Sequence, residues 1–233
     1  VMNPAGDGTS PAPCSPQGAA DPCFGAADTP GPMNDSSRLN RPSAWDLGNE
    51  VLYSLCADYP AHTEPEVIVA KLWLIGRAYA APIERGRPMP GGLKNEGFYT
   101  GRVVPMVLSS PVDSWIGELG GASLSWDDLP RILHAHRRLT DLFKSISGRA
   151  QRALAAKYLH FHRPDLFFIF DSRADAAVRA LVPRPRRVEL RKKEIDSDYS
   201  LFARRCLELM ERLQPESPVP LAPRPLDRYL LEY

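Results

Sequence analysis

The residues best suited to chemistry lie in one stretch of the chain, between residues 148 and 181. Asp171 directly follows the apolar run 166–170, and Lys157 and His160 lie a short way upstream. A carboxylate at the boundary of a buried segment has an easily perturbed pKa, and such groups cluster at active sites. We therefore predict that Asp171, Lys157 and His160 belong to a catalytic site.

Asp171 also has a purely structural interpretation. Asp and Ser are residues that cap helices, and Asp171-Ser172 directly precedes the helix-forming run 173–181. Under this interpretation Asp171 ends a core segment, begins a helix and takes no part in chemistry.

The stretch 148–181 resembles the helix-hairpin-helix superfamily of base-excision DNA glycosylases. In that family a Gly-Arg type of turn leads into a helix, and a later apolar segment ends in the catalytic Asp, which opens the next helix. Here Gly148-Arg149 stands for the turn and 168–171 for the segment. The resemblance implies DNA as the partner, hydrolysis of a base–sugar bond as the reaction, and Asp171 as the catalytic carboxylate.

The sequence departs from the family pattern around the turn. Ser145-Ile146-Ser147 precedes Gly148 where the family has a Gly-rich turn, and no Lys follows Gly148-Arg149. The nucleophile of a lyase step is therefore missing there, and no four-cysteine cluster follows. The resemblance thus implies base release without a lyase step, with Lys157 in a supporting role.

One part of the chain is strongly basic. The net charge of +1 over 233 residues gives no general preference for nucleic acid, so any basic surface must be local. We predict a phosphate-binding surface that combines the turn with the basic stretch, and a solvated linker is the alternative. Its residues are Gly148, Arg149, Arg184, Arg186, Arg187 and Lys192.

A second polar group interrupts the apolar helix predicted over 67–81. Lys71, Arg77 and Tyr79 lie within this helix, and Glu84 follows it. Charges on a mostly buried helix need partners. These residues either form an exposed stripe that pairs internally or, in the case of Arg77, Tyr79 and Glu84, line a second cleft.

Two rival chemistries involve histidine. His160 and His162 are two positions apart, so on a helix they do not share a face. We predict that neither is a metal ligand and that one is buried and bonded to the backbone. Arg131 and His136 fit the loose Arg-x4-His pattern of small helical RNases from toxin systems. A nuclease or toxin-like enzyme is therefore one alternative function, and a non-catalytic bacterial interaction module is another.

No segment of any length alternates with period 2, and most of the predicted elements have helical periodicity. The hydrophobic share of 43% and the charged share of 24% are ordinary for a globular protein. We predict an all-α fold over residues 43–233, with a helix-hairpin-helix-like element, preceded by a disordered low-complexity tail over 1–42. The four cysteines lack metal-like spacing, which favours free thiols in a cytoplasmic protein. We expect no cofactor and no membrane span.

The predicted helices follow from capping residues and apolar spacing. The first has an apolar face of Leu47, Val51, Leu52 and Leu55 and ends near Asp58. The others cover 67–81, 98–108 with a break at Pro105, 112–119, 125–146, 148–160, 173–181 and 199–213. A short apolar tail, 226–233, ends the chain.

Overall fold

The computed structural model describes residues 45–85 and 95–233. The prediction of an all-α fold is confirmed, since the described residues form helices and contain no strand. The predicted disordered tail, 1–42, lies outside the described residues, and so do Cys14 and Cys23.

The described helices mostly agree with the predicted ones. They are α1 (Asp46–Asp58), α2 (Pro65–Ala78), α3 (Asn95–Phe98), α4 (Val104–Leu108), α5 (Val112–Gly117), α6 (Leu129–Ser147), α7 (Arg152–His162), α8 (Ser172–Leu181), α9 (Ser197–Leu213) and α10 (Pro223–Glu232). A π-helical turn, Tyr99–Val103, joins α3 to α4, and short 3₁₀ turns cover Lys192–Glu194 and Gln214–Glu216.

The core is built around α7. This helix packs against α6, α1 and α2, and its residues from Leu154 to Phe161 are buried. The apolar run 166–170 follows it without regular structure and is buried up to Ile169. Helix α8 then packs on α9 and α10. Lys157 and His160 are therefore enclosed by the core, and Asp171 is half-buried.

The hairpin between α6 and α7 has a left-handed turn. Helix α6 ends at Ser147, and Gly148 takes φ 77°, a region that favours glycine because it has no Cβ. Helix α7 begins only at Arg152, four residues later than predicted, because the chain uses 148–151 to reverse direction.

Helix α1 presents a different face from the predicted one. Leu47 and Val51 are 74% and 59% exposed, whereas the buried residues are Asn49, Leu52 and Cys56. Asn49, Leu52 and Cys56 have the spacing i, i+3, i+7 of one helix face. The prediction was wrong for Leu47 and Val51 because it followed hydrophobicity, whereas Leu52 is buried as predicted and the buried face of α1 also carries a polar residue.

Helix α2, like α1, buries a polar residue and exposes an apolar one. Lys71 is completely buried, whereas Trp73 is 45% exposed. The helix ends at Ala78, three residues earlier than predicted, because Ala80 has φ 50° and the Ala81 N–H bonds back to the Gly76 carbonyl. A Cβ on Gly76 would lie 3.1 Å from Pro82 Cα, so this close reversal requires glycine.

The last helix, α10, was predicted only as an apolar tail. It begins at Pro223, which is favoured in the first turn of a helix. Its buried residues include Leu226, Asp227 and Leu230. The helix thus buries a carboxylate among apolar neighbours. No helix in the described ranges is long and apolar enough to cross a membrane.

Candidate functional site

Lys157 of α7 is the centre of the candidate site. Its side chain is 4% exposed, its Nζ donates to the Tyr79 carbonyl at 3.0 Å, and it lies 5.6 Å from the centre of the Tyr79 ring. Burial lowers the pKa of Lys157, while the charges of Asp171 and Asp227 raise it. A buried ammonium near two carboxylates is an arrangement typical of functional sites.

Asp171 caps α8 with one oxygen and leaves the other free. Its Oδ1 accepts the Ala174 N–H at 2.9 Å, which makes it the N-cap that the structural interpretation predicted. Its Oδ2 has no partner among the described residues, and the side chain is half-buried. No ion pair joins Asp171 to Lys157, so the two charges interact through space. The cap therefore leaves one carboxylate oxygen available.

Asp227 of α10 adds a second carboxyl group to the site. It is 3% exposed, and its Oδ2 accepts from Arg224 Nη1 at 2.6 Å. Burial raises the pKa of Asp227 to about 7; Arg224 lowers it, and Asp171 raises it further. At neutral pH this carboxyl group is therefore partly protonated.

Two tyrosines and Asn49 close the site on the side of α1 and α2. The Tyr79 hydroxyl donates to Asn49 Oδ1 at 2.6 Å. Burial raises the pKa of Tyr53 to about 12 and also raises that of Tyr79, and the charges of Arg224 and Asp227 act on both hydroxyls. The tyrosines are thus neutral groups that adjoin the charged pair of α10.

Several buried polar atoms of this site lack a partner. They are Asn49 Nδ2, Arg224 Nε and Asp227 Oδ1, within the part of the chain that the structure describes. Buried polar groups are almost always hydrogen-bonded, so a group of exceptions in one place requires an explanation such as a bound molecule. We call this site the Lys157 cluster, defined by Asn49, Tyr79, Lys157, Asp171, Arg224 and Asp227.

An open depression lies along the exposed face of α8. It has a volume of about 510 Å³ and is lined by Ser172, Asp175, Ala176, Arg179 and Ala180. Its lining begins at Ser172, the residue after Asp171, and includes no member of the Lys157 cluster.

His160 is placed to support the site. It is completely buried, its Nδ1–H donates to the Phe167 carbonyl at 2.7 Å, and its Nε2 accepts the Tyr53 hydroxyl at 2.6 Å. Burial lowers its pKa to about 4. Because both ring nitrogens are occupied, His160 holds the segment before Asp171 and has no free atom for a substrate.

His162 belongs to a separate buried network. Its Nδ1–H donates to the Tyr158 carbonyl at 2.9 Å, and its Nε2 accepts from Lys71 Nζ at 3.2 Å. Lys71 also donates to the carbonyls of Tyr59 and Ala61. Burial, followed by the charge of Lys71, lowers the pKa of His162 to about 3.

The same network contains an Asp–His–Tyr chain of hydrogen bonds. The Nδ1–H of His62 donates to Asp113 Oδ1 at 2.5 Å, and its Nε2 accepts the Tyr158 hydroxyl at 2.7 Å. Burial lowers the pKa of His62, while the hydrogen bond to Asp113 raises it. We call this group the Lys71 network, defined by His62, Lys71, Asp113, Tyr158 and His162. None of its buried side-chain polar atoms lacks a partner.

The second predicted cleft divides into two parts. Arg77 forms an ion pair with Glu84, and Glu84 Oε2 accepts the Tyr99 hydroxyl at 2.9 Å. Arg77 is 45% exposed. This is the internally paired arrangement that the sequence left open, whereas Tyr79 is part of the Lys157 cluster.

The predicted phosphate-binding residues are on the surface, but two amides are not free. Gly148 N–H donates to the Lys144 carbonyl at 2.7 Å, and Arg149 N–H donates to Ser147 Oγ at 3.3 Å. The expectation that these amides bind phosphate is therefore not met in this conformation. Helix α7 has no side-chain cap, so no capping side chain accepts hydrogen bonds from the amides of its first turn.

The residues of the basic stretch differ in their contacts. Arg184, Arg187 and Lys192 are exposed. The guanidinium of Arg186 lies 5.1 Å from the centre of the Trp126 ring, and the backbone N–H of Arg186 donates to Glu208 Oε2. Arg186 thus anchors the stretch, and its neighbours extend into solvent.

The RNase-like pattern is not supported by the position of its histidine. His136 is completely buried and stacks on Tyr199 with ring centres 3.6 Å apart. Its Nε2 donates to the Arg152 carbonyl, and burial lowers its pKa to about 4. A general base must reach a substrate proton, and this ring is enclosed by the core.

Sequence analysis missed three members of the Lys157 cluster: Asn49, Arg224 and Asp227. One signal was available for Asp227, because Pro223, Leu226, Asp227 and Leu230 lie on one helix face. A carboxylate at a core position of an amphipathic helix needs a partner. Asn49 had no comparable signal.

Comparison of the chain with protein-family models, curated proteins and solved structures finds no match. Within residues 45–85 and 95–233, no group of three or more His, Cys, Asp or Glu side chains is arranged to hold a metal ion. The argument for function therefore depends on the geometry of the site.

Proposed function

We propose that the protein is a DNA glycosylase-like enzyme that hydrolyses the bond between a base and its sugar, with Asp171 as the catalytic carboxylate. The observation that carries the proposal is the Oδ2 of Asp171, which accepts no hydrogen bond from the described residues and lies near a buried ammonium. Helix capping alone needs only one acceptor oxygen, so the second oxygen and the nearby Lys157 remain to be explained.

The chemistry assigns a separate task to each group. Water attacks the anomeric carbon, the carbon–nitrogen bond breaks, and its electron pair leaves with the base, which then takes up a proton. Positive charge develops on the sugar, and an ionised Asp171 stabilises that charge and accepts the proton of the attacking water. The charges of Asp171 and Asp227 both raise the pKa of Lys157, so the three groups form one electrostatic unit around the proposed catalytic carboxylate.

The substrate must approach from the surface of α8. The cluster residues behind Asp171 are nearly closed to solvent, with Lys157 4% and Asp227 3% exposed. A base inside a duplex is not accessible there, so the proposal requires the target nucleotide to leave the base stack.

Binding to DNA is proposed to use phosphates. The exposed Arg149, Arg184, Arg187 and Lys192 supply positive charge, and the first-turn amides of α7 supply N–H donors. Such binding releases counterions, so the affinity should fall as the salt concentration rises. Undetectable binding at low salt, or binding insensitive to salt, would remove the nucleic-acid part of the proposal.

The decisive experiment measures base release from duplexes that each carry one damaged or mismatched base. We expect Asp171→Asn to lower the rate by about 100-fold to 10,000-fold, the usual contribution of an acid–base group. Asp165→Asn is the matched control, because Asp165 lies on the same segment, is exposed and pairs with Arg163. The control should keep the wild-type rate.

Two further outcomes define the limits of the proposal. If the wild-type protein releases no base from any duplex tested, the enzyme proposal fails and an interaction module is the better interpretation. Borohydride should trap no covalent complex, because no lyase step is expected. A trapped complex that disappears in Lys157→Met would instead make Lys157 the nucleophile.

A further inference from the structure

A pocket at the beginning of α9 lies outside the Lys157 cluster. It has a volume of about 390 Å³, which is in the range of small-molecule sites. Val188, Leu190 and Ile195 supply an apolar wall. The polar part of the lining consists of Lys192, Ser197, Ser200 and Arg204.

The Ser200 hydroxyl is an unsatisfied group in this pocket. Ser200 is 2% exposed, and its Oγ has no hydrogen-bond partner in the ranges that the structure describes. A helical serine ordinarily bonds to a preceding carbonyl or points to solvent. The buried Oγ does neither, so it is available as a donor to a molecule in the pocket.

The two cations of the pocket have no carboxylate partner in the described part of the chain. Arg204 makes only long contacts, both of 3.4 Å, from Nε to the Ser200 carbonyl and from Nη1 to the Arg186 carbonyl. Lys192 is exposed, and no described side chain pairs with it. Burial, followed by the charge of Arg205, lowers the pKa of Arg204.

Three acidic residues beside the pocket are already engaged. Asp196 caps α9 and pairs with Arg152, and Asp198 pairs with the same arginine. Glu194 pairs with Arg191. The positive charge of the pocket is therefore not neutralised by these neighbours, and an anion is the complementary ligand.

We propose that this pocket binds a phosphomonoester attached to an organic group, with the phosphate held by Arg204, Lys192 and the Ser200 hydroxyl. A planar guanidinium matches phosphate oxygens in a bidentate geometry, and a hydroxyl adds one donor. The apolar wall takes the organic group. Such a phosphate belongs either to a free nucleotide or to the 5′ end of a nucleic-acid strand.

The pocket is tested with a nucleoside monophosphate, its parent nucleoside and inorganic phosphate, at constant ionic strength. Binding is followed by calorimetry and by amide shifts of the first turns of α9. The monophosphate should bind saturably and the nucleoside should bind at least about tenfold more weakly, because it lacks the charge-assisted hydrogen bonds. Equal binding of both, or shifts that chloride reproduces, would overturn the proposal.

Variants test whether binding depends on the residues of this pocket or only on the general basic charge of the surface. Ser200→Ala and Arg204→Gln should each weaken binding by about tenfold or more, since each removes a donor to the phosphate. Ser200→Ala removes an unsatisfied buried hydroxyl, so it should fold at least as well as the wild type. Arg191→Gln is the matched control, because Arg191 is 85% exposed and does not line the pocket. Equal weakening by Arg191→Gln and Arg204→Gln would also overturn the proposal.

Two oligonucleotides identify the source of the phosphate. A strand with a 5′-phosphate that binds more tightly than both its 5′-hydroxyl twin and the free monophosphate makes a nucleic-acid end the ligand. Equal binding of the strand and the monophosphate makes it a free nucleotide. The proposal does not depend on the proposed base release, because Asp171 does not line this pocket, and it shares only Lys192 with the proposed DNA-binding surface.

Discussion

Two buried lysines, Lys71 of α2 and Lys157 of α7, show how similar burial serves different purposes. Lys71 is completely buried and donates to two backbone carbonyls and to His162. Lys157 is 4% exposed and donates to one carbonyl, while two carboxylates act on it without direct contact. Both lysines have a pKa lowered by burial, yet only the surroundings of Lys157 contain unpartnered polar atoms.

The difference indicates which region holds the fold and which is open to a ligand. A buried polar network in which every atom is bonded rigidifies the core. The Lys71 network ties α2, α5, α7 and the chain before α2 together in this way. In the Lys157 cluster, Asn49 Nδ2, Arg224 Nε and Asp227 Oδ1 remain without partners. Proteins tolerate such a deficit at functional sites and rarely elsewhere.

The largest effect should be a loss of stability in acid that arises from the enclosed histidines. Burial lowers the pKa of His162 to about 3 and those of His136 and His160 to about 4. A lowered folded pKa means that the unfolded chain binds protons first, so stability is present above pH 6.5 and is lost as the pH falls towards these values. We expect a loss on the order of 5 kcal/mol between pH 7 and pH 4.

Urea unfolding at a series of pH values measures this loss. His162→Gln should remove the largest single share of the pH dependence, because His162 has the lowest of the three pKa values. Asp227 acts in the opposite direction, so the histidine contribution is best isolated in an Asp227→Asn background. Constant stability between pH 7 and pH 4 in that background would show that the histidines are not enclosed as described.

The second expected effect is the pH dependence of stability that arises from Asp227 of the Lys157 cluster, and its direction is opposite to that of the histidines. The folded pKa of Asp227 is raised to about 7, so its contribution to stability is full below the unfolded value near 3.8 and is lost as the pH rises through 7. Asp227→Asn cannot ionise. It should therefore stabilise the protein by about 1 to 4 kcal/mol at pH 8 and have little effect at pH 4.

The measurement is the difference in unfolding free energy between Asp227→Asn and the wild type at the two pH values. Asp175→Asn is a useful control, because Asp175 is a carboxylate on α8 that is paired with Arg179. If Asp227→Asn is destabilised at pH 8, the carboxylate is needed in its ionised form and the two regions resemble each other more than proposed.

The sequence predicted the local features of both regions but not their assembly. Helix bounds, the cap at Asp171 and the Gly148 turn follow from short-range patterns of capping and periodicity. The Lys157 cluster combines residues from α1, the end of α2, α7, the beginning of α8 and α10. Such proximity depends on tertiary packing, which no local pattern in a single sequence encodes.

Buried polar residues explain most of the remaining errors. Charge predicts exposure and hydrophobicity predicts burial, so the sequence favours an exposed stripe or internal pairing for Lys71 and a core position for Leu47. Both rules fail here, since Lys71 finds three acceptors inside the protein. The same reasoning left Asp227 in an unassigned apolar tail. Residues that break the hydrophobic pattern are often those with specific roles.

A smaller loss of stability is expected when a tyrosine hydroxyl is removed from either region. Tyr158→Phe leaves the buried Nε2 of His62 without its donor, which should cost about 2 kcal/mol. Tyr79→Phe removes only the bond to Asn49 Oδ1, in a cluster that already has unpartnered atoms, and should cost about 1 kcal/mol. Urea unfolding of both variants checks the order. The reverse order would mean that the Lys157 cluster is the more rigid region.

The smallest expected loss of stability is that of Asp171→Asn. It is compared with the same substitution at a second capping aspartate. Asp171 and Asp196 each cap a helix, α8 and α9, by accepting a backbone N–H. Asp196 is 6% exposed and also pairs with Arg152 at 2.9 Å, whereas Asp171 has no ion pair. Asparagine caps about as well as aspartate, so Asp171→Asn should cost less than about 0.5 kcal/mol. Asp196→Asn should cost at least about 1.5 kcal/mol, because it also removes a charge-assisted bond.

Melting and urea unfolding of the two variants measure both costs. A large cost at Asp171 would mean that its charge is structural. A small cost, together with a loss of base release, would mean that the charge of Asp171 serves a substrate, because the fold requires only one oxygen of that side chain.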